Sequence, residues 1–131
     1  MSINYIMIGS NDLARSRAFY DAVMAQIGGT IAADYPGFTF SYQLRDDGGR
    51  IWIAPPYDKA AAIPGNGVMI GFDAGSEAAV FAAHAAALAH GGTNEGDPGP
   101  RPQYGPQFFG GYVRDPDGNK MSFMFDREIS E

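Results

Sequence analysis

Hydrophobic and polar positions along this chain follow one plan twice. Each half begins with a short apolar stretch, continues with apolar residues at helical spacing, and ends in alternating segments around a glycine-containing turn. Alternation with a period of two predicts a half-buried strand, and recurrence every three to four residues predicts an amphipathic helix. The pattern therefore predicts a strand, a helix and a hairpin in each half.

The first half shows the plan most clearly. Residues 3 to 9 predict a strand, and Asn11 or Asp12 supplies the N-cap of the helix that follows. Gly28 ends that helix, because glycine adopts the left-handed C-cap conformation without a steric penalty. Residues 38 to 53 then predict a hairpin, with aspartates and glycines in its turn.

The second half repeats the plan with one difference. It predicts a strand at residues 68 to 72, a helix from Ser76 to His90 and a hairpin over residues 108 to 125. Residues 91 to 107 are rich in glycine and proline, and connections of this length without their own structure are usually functional lids or disordered segments. The sequence leaves open whether this loop is a lid.

The repeat also predicts how the chain is organised. Two copies indicate two similar modules that share one core, since a solenoid needs at least three units. With 131 residues, 45% of them hydrophobic, the chain is long enough for one domain. We predict a single domain over residues 1 to 131, with module one at about residues 1 to 60 and module two at about 66 to 127. The seam between such modules is a preferred place for a ligand pocket.

Charge and composition narrow the range of partners. A net charge of −6 argues against nucleic acid and against an anionic membrane surface, since both favour a basic patch, but it suits a cationic ligand. The chain has no cysteine, which excludes disulfides and thiolate metal sites. The sequence shows no targeting segment and no apolar stretch long enough to span a bilayer. We therefore expect a cytoplasmic protein.

Residues that commonly ligate metals are few. The two histidines, His84 and His90, are six residues apart on the predicted helix, which places them roughly 120° apart around its axis. They are not placed to chelate one ion. Four aspartates, Asp46, Asp47, Asp115 and Asp117, fall in predicted turns, where capping of backbone N–H groups is their more frequent role. We expect no metal and no other cofactor.

A set of motifs follows in a fixed order: Asp12-Leu13, Arg15-Ser16, Phe19-Tyr20, and Arg114-Asp115-Pro116-Asp117-Gly118-Asn119 before the last strand. With the duplication and the chain length, this order resembles the glyoxalase, bleomycin-resistance and extradiol-dioxygenase (vicinal oxygen chelate) superfamily over almost the whole chain. The resemblance implies an α+β fold of two tandem βαβββ modules, whose curved mixed sheet surrounds a cup-shaped cavity. It also implies that relatives with enzymatic activity usually hold a divalent metal there through histidine and glutamate.

The positions that the resemblance assigns to metal ligands hold other residues in this chain. Tyr5 and Met69 stand at the histidine positions that open the two modules. Ser122 stands at the glutamate position of the last strand, and the fourth position falls near residues 51 to 53, where the indole N–H of Trp52 donates but does not ligate. The resemblance therefore implies a cup without a metal.

Aromatic, methionine and hydroxyl side chains of the inner sheet face are expected to line this cup. Without the resemblance, such residues on strands are more often plain core. Arg101 and Tyr104 are either gate residues, with the guanidinium pairing a ligand carboxylate or phosphate, or part of a solvated loop. The candidate ligand-binding residues are Tyr5, Met7, Trp52, Met69, Arg101, Tyr104, Tyr112, Ser122 and Met124.

Two functions stay open at this point. The first is a metal-free protein that binds a small apolar, aromatic or cationic molecule, as bleomycin-resistance proteins do. The second is a lyase, isomerase or dioxygenase-type enzyme in which Tyr5, Tyr112 or a non-standard metal site replaces the usual metal. We favour the binder, because the expected lining has almost no groups that titrate near neutrality. The resemblance further implies a homodimer, with modules paired within or between chains.

Overall fold

The computed structural model describes residues 1 to 126, which form two helices and eight strands. Module one contains β1 (Tyr5–Gly9), α1 (Leu13–Ile27), β2 (Thr30–Tyr35), β3 (Thr39–Gln43) and β4 (Arg50–Ala54). Module two contains β5 (Ile70–Asp73), α2 (Glu77–Ala89), β6 (Thr93–Pro100), β7 (Phe108–Arg114) and β8 (Lys120–Asp126). Short 3-10 turns lie at Arg45–Asp47 and Pro102–Tyr104.

Each module forms its own four-stranded mixed sheet. The strand orders are β1-β4-β3-β2 and β5-β8-β7-β6. In both sheets the first strand runs parallel to the last strand of the module, and the other pairs are antiparallel. The predicted α+β fold of two tandem βαβββ modules is confirmed.

One hydrophobic core joins the two modules. The helices α1 and α2 pack against each other, and the sheets contribute alternate residues to the same cluster. Ile51 and Ile53 of β4 and Met121 and Phe123 of β8 are buried in it. Each such side chain contributes roughly 1.5–3 kcal/mol of burial free energy. Because strand residues alternate between faces, the opposite face of each sheet lies away from the helices.

The helices begin and end as their caps predict. Asp12 and Ser76 each accept a hydrogen bond from a backbone N–H in the first turn of α1 and α2. Gly28 ends α1 with φ of 84°, in the left-handed region. The helix α2 ends one residue before its predicted end, with His90 as its C-cap. Neither helix in residues 1 to 126 is long and apolar enough to cross a membrane.

Two strands depart from the sequence prediction. An additional antiparallel strand, β2 or β6, follows each helix; the hydrophobic pattern did not predict it, whereas the βαβββ modules implied by the resemblance include it. The strand β6 lies in the segment predicted to be an unstructured connection. It is an edge strand with register shifts against β7, where glycine and proline are tolerated. The predicted end of module two at residue 127, and the chain from there to 131, lie outside the described residues.

The turn between β7 and β8 ties module two to α1. Asp115 is 2% exposed and accepts hydrogen bonds from the Tyr20 hydroxyl at 2.5 Å and from the backbone N–H groups of Asp117 and Asn119 at 2.9 Å each. The side chain of Asp117 pairs with Arg15 at 2.8 Å. Burial, and then the Asp115 carboxylate, raise the pKa of Tyr20 well above its usual value. The aspartate-rich motif of this turn is therefore a structural joint between the modules.

Candidate functional site

A large open groove lies on the face of the module-one sheet that points away from the helices. Its volume is about 940 Å³, and its lining comes entirely from residues 4 to 57. We call it the module-one groove. Sites for small molecules typically enclose roughly 300–1,000 Å³, so the groove is large enough for one.

Strand register builds the floor of this groove. Two cross-strand rows lie side by side on the same face, Met7–Trp52–Ser41 and Tyr5–Arg50–Gln43. The outer members of the floor are open to solvent, since Tyr5 is 58% exposed and Met7 is 57% exposed. Ser41 is fully buried, and its hydroxyl has no hydrogen-bond partner. The large indole of Trp52 on β4 therefore lies between Met7 on β1 and Ser41 on β3.

The module-one groove has a polar end and an apolar end. The polar end lies at the β3–β4 turn and carries Asn4, Gln43, Asp47 and Arg50. The apolar end lies where β3 begins and β4 finishes, and carries Phe38, Ala54, Pro55 and Tyr57. A strand advances about 3.3 Å per residue, so the ends are roughly 13 Å apart. Met7 and Trp52 lie between them, and Tyr5 lies beside Arg50 at the polar end.

On the corresponding face of module two, the ring of Tyr112 lies beneath two cationic side chains of the same module. The guanidinium carbon of Arg101 lies 5.4 Å from the ring centroid of Tyr112, and the Lys120 ammonium lies 6.0 Å from it. Arg101 also donates hydrogen bonds to two backbone carbonyls of β6, at 2.6 and 3.2 Å. Burial and the neighbouring Tyr104 raise the pKa of Tyr112, while Arg101 lowers it. The guanidinium is therefore engaged with this module.

The structure divides the predicted site residues between these two faces. Those that line the module-one groove are Tyr5, Met7 and Trp52. Those that belong to module two and lie outside this groove are Arg101, Tyr104, Tyr112, Ser122 and Met124. Met69 lines two smaller cavities at the seam between the modules, one of which also contacts Met7. Within one chain, Arg101 and Tyr104 do not cover the groove, and Tyr5 and Met69 line different cavities.

Sequence reasoning missed several residues of the groove. Arg50 and Gln43 carried a usable pattern, because alternation places Arg50 on the same face of β4 as Trp52 and Gln43 opposite it on β3. Alternation in the predicted strand put Phe38 on the same face as the buried Phe40, and Tyr57 carried no pattern. Both lie just outside the strands of the structure, where periodicity does not fix the direction of a side chain.

Comparison with known proteins identifies the family of this chain. The sequence profile of the Glyoxalase/Bleomycin resistance protein/Dioxygenase superfamily matches residues 2–123. The chain belongs to this superfamily. A solved glyoxalase/bleomycin resistance protein from Albidiferax ferrireducens T118 is 36% identical to it, with a TM-score of 0.84 over 94% of this chain and 98% of that chain. No curated protein sequence matches the chain.

More distant superfamily structures share the fold. A glyoxalase-related enzyme from Fulvimarina pelagi is 23% identical, with a TM-score of 0.73 over 96% of this chain and 88% of that chain. A lactoylglutathione lyase from Agrobacterium tumefaciens is 20% identical, with a TM-score of 0.65 over 95% of this chain and 92% of that chain. At these identities the likeness concerns the fold alone.

The positions that hold a metal in enzymes of this superfamily do not fit one here. The resemblance assigns these positions to Tyr5, Met69, Ser122 and Trp52, which carry a phenol, a thioether, a hydroxyl and an indole where imidazole and carboxylate groups would suit a divalent ion. Tyr5 and Met69 also line separate cavities. Among residues 1 to 126, no three histidine, aspartate or glutamate side chains are placed to share an ion. The function proposed below therefore has no step through a metal.

Proposed function

We propose that this superfamily member binds a small, largely apolar or aromatic molecule in the module-one groove and needs no metal to do so. The observation that carries the proposal is an open groove of about 940 Å³ with Trp52, Met7 and Phe38 in its lining. A site without coordinating groups gains affinity from apolar burial, at roughly 25 cal/mol per Å², and from a few oriented polar groups. The net charge of −6 keeps cationic ligands within the proposal.

Catalysis is the alternative function. A lyase, isomerase or dioxygenase-type reaction needs an acid or base beside the substrate. Both histidines lie outside the groove lining, and Tyr112 lies in module two beneath Arg101. Asp47 supplies the one carboxylate of the lining. This set favours a binding protein over an enzyme, although the superfamily contains both.

We also propose that the protein is a cytoplasmic homodimer. The module-one face exposes four large side chains, Tyr5, Met7, Phe38 and Tyr57. Pairing with a second copy of the chain would remove part of this apolar surface from water. Sedimentation is expected to report twice 14.0 kDa. A monomer at high concentration would reject the dimer and leave the groove open on one side.

The single tryptophan of the chain makes ligand binding directly measurable. Trp52 lines the groove, so quenching or a blue shift of its emission on ligand addition reports this site. Hydrophobic metabolites and cationic antibiotics would be screened by this fluorescence and by thermal shift. A ligand at one hundred times its dissociation constant is expected to stabilise the fold by roughly 2.7 kcal/mol.

Two arginine substitutions test whether the groove is the site. Met7→Arg places a charge in the lining and is expected to weaken every uncharged or cationic hit at least tenfold, because the new cation displaces apolar contact and repels a second cation. Leu88→Arg adds the same charge to a partly exposed position on α2 and is expected to change nothing. If Met7→Arg folds and binds every hit as the wild type does, the proposed site is wrong.

A further inference from the structure

Arg50 lies at the polar end of the module-one groove, where Gln43 orients its side chain. Its Nε donates a hydrogen bond to the Oε1 of Gln43 at 3.2 Å. The amide nitrogen of Gln43 in turn donates to the backbone carbonyls of Gly49 at 3.0 Å and Leu44 at 3.3 Å. The β3–β4 turn thus anchors Gln43, and Gln43 orients the guanidinium. The two terminal nitrogens of Arg50 are left without a protein partner among residues 1 to 126.

No carboxylate of the described chain neutralises this guanidinium. Four other arginines, Arg15, Arg17, Arg45 and Arg114, form ion pairs with aspartate or glutamate, and Arg50 forms none. Asp47 lines the same groove but is not paired with Arg50. The N–H groups that remain, on Nη1 and Nη2, can donate a pair of hydrogen bonds to one carboxylate, sulfonate or phosphate.

From this arrangement we infer that the ligand is an amphipathic anion, with an aromatic or apolar body and one acidic group. This inference rests on the proposed function, because it places the ligand in the module-one groove. The acidic group lies against Arg50, and the body extends past Trp52 toward Phe38 and Tyr57 at the apolar end. The roughly 13 Å between the ends suits a small aromatic acid. Asp47 disfavours the anion and limits its affinity.

Three probes of one shape and different charge test the inference by calorimetry: 2-naphthylacetate, 2-naphthylacetamide and 2-(2-naphthyl)ethylammonium. The acetate is expected to bind at least tenfold more tightly than the amide, and the ammonium to bind most weakly. Added sodium chloride is expected to weaken only the acetate, because screening acts on the charged pair. Tighter binding of the ammonium than of the acetate would overturn the anion assignment and leave the proposed binding function intact.

Variants then assign the preference to Arg50. Arg50→Gln is expected to weaken the acetate at least tenfold and to leave the amide within twofold, while Arg50→Lys gives an intermediate loss. Asp47→Asn is expected to strengthen the acetate. Lys59→Gln makes the same charge change outside the groove lining and is expected to have no effect. An equal loss in Arg50→Gln and Lys59→Gln would overturn the inference, and a failure of all three probes together with an empty library screen would overturn the proposed function as well.

Discussion

The two modules fill the same cross-strand row differently. This row begins two residues after Tyr5 in module one and two residues after Met69 in module two. It consists of Met7–Trp52–Ser41 in module one and Gly71–Ser122–Tyr112 in module two. In module one the large ring stands on β4 and the small residue on β3. In module two the serine stands on β8, and the ring stands on β7 beneath Arg101. One face consequently forms an open groove, and on the other the ring lies beneath a side chain of its own module.

This difference teaches which parts of a duplicated fold are free to change. The helix-facing residues of both sheets belong to one shared core, so a change of volume there is costly in either module. The opposite faces carry no such constraint. The superfamily fold therefore supplies two similar faces, and the first of them carries the groove of about 940 Å³.

The largest expected effect concerns the two hairpin turns rather than the two faces. Asp115 is buried and accepts a bond from Tyr20, whereas the side chain of its counterpart Asp46 is 82% exposed. Asp115→Asn is expected to lower the free energy of unfolding by about 3 kcal/mol, because it removes a charged acceptor from buried donors. Asp46→Asn is expected to stay within about 0.5 kcal/mol. Urea unfolding of both variants measures the contrast, and equal losses would show that the β7–β8 turn is not the joint between the modules.

The same joint predicts a pH dependence. The pKa of Tyr20 is raised by burial and by Asp115, so above the ordinary value of 10.0 the unfolded chain loses this proton while the folded chain keeps it. The contribution of Tyr20 to the free energy of unfolding is therefore complete below about pH 10. It is lost as the pH rises toward the pKa of Tyr20 in the folded state, by up to roughly 1.4 kcal/mol per pH unit.

Tyr20→Phe tests this contribution directly. The variant is expected to be about 2 kcal/mol less stable at pH 7, since it loses a hydrogen bond to a charged group, and its stability should fall less steeply than that of the wild type above pH 10. Tyr35→Phe, at a position 57% exposed, is the matched control. Parallel stability curves for wild type and Tyr20→Phe would contradict the assignment.

A pair of methionine variants sharpens the comparison of the two faces. Met7 lines the module-one groove, and Met69 lines cavities at the seam. Met7→Arg is expected to weaken the binding of an uncharged ligand at least tenfold, while Met69→Arg leaves it within twofold. Binding titrations followed by Trp52 emission measure both. Equal losses would show that the ligand site is one cup shared by the two modules, within a chain or across a dimer.

The sequence predicted the fold where local chemistry decides structure. Asp12, Gly28 and Ser76 fixed the helix ends, because capping depends on a single side chain or a single left-handed residue. The strand β6 escaped prediction because its glycines and prolines have low strand propensity. It forms through pairing with β7, which is a property of the tertiary structure.

The site was predictable only within one strand or one pair of strands. Alternation placed Trp52 on an open face, but whether Tyr5 meets Met69 depends on how two sheets are set beside each other. Local periodicity carries no information on that arrangement. The polar end of the groove depends likewise on Gln43 and Arg50 meeting across β3 and β4.

The smallest expected effect concerns the module-two face, where Arg101 lies over the ring of Tyr112. Arg101→Ala removes a guanidinium that lies over Tyr112 and donates to two exposed backbone carbonyls of β6, so stability should fall by about 1–2 kcal/mol. The clearer readout is access to the ring. Nitration of Tyr112 by tetranitromethane, followed by peptide mass spectrometry, is expected to accelerate several-fold in the variant, whereas nitration of the exposed Tyr5 stays unchanged. Unchanged nitration of Tyr112 would mean that the strand β6, rather than the Arg101 side chain, limits access to this ring.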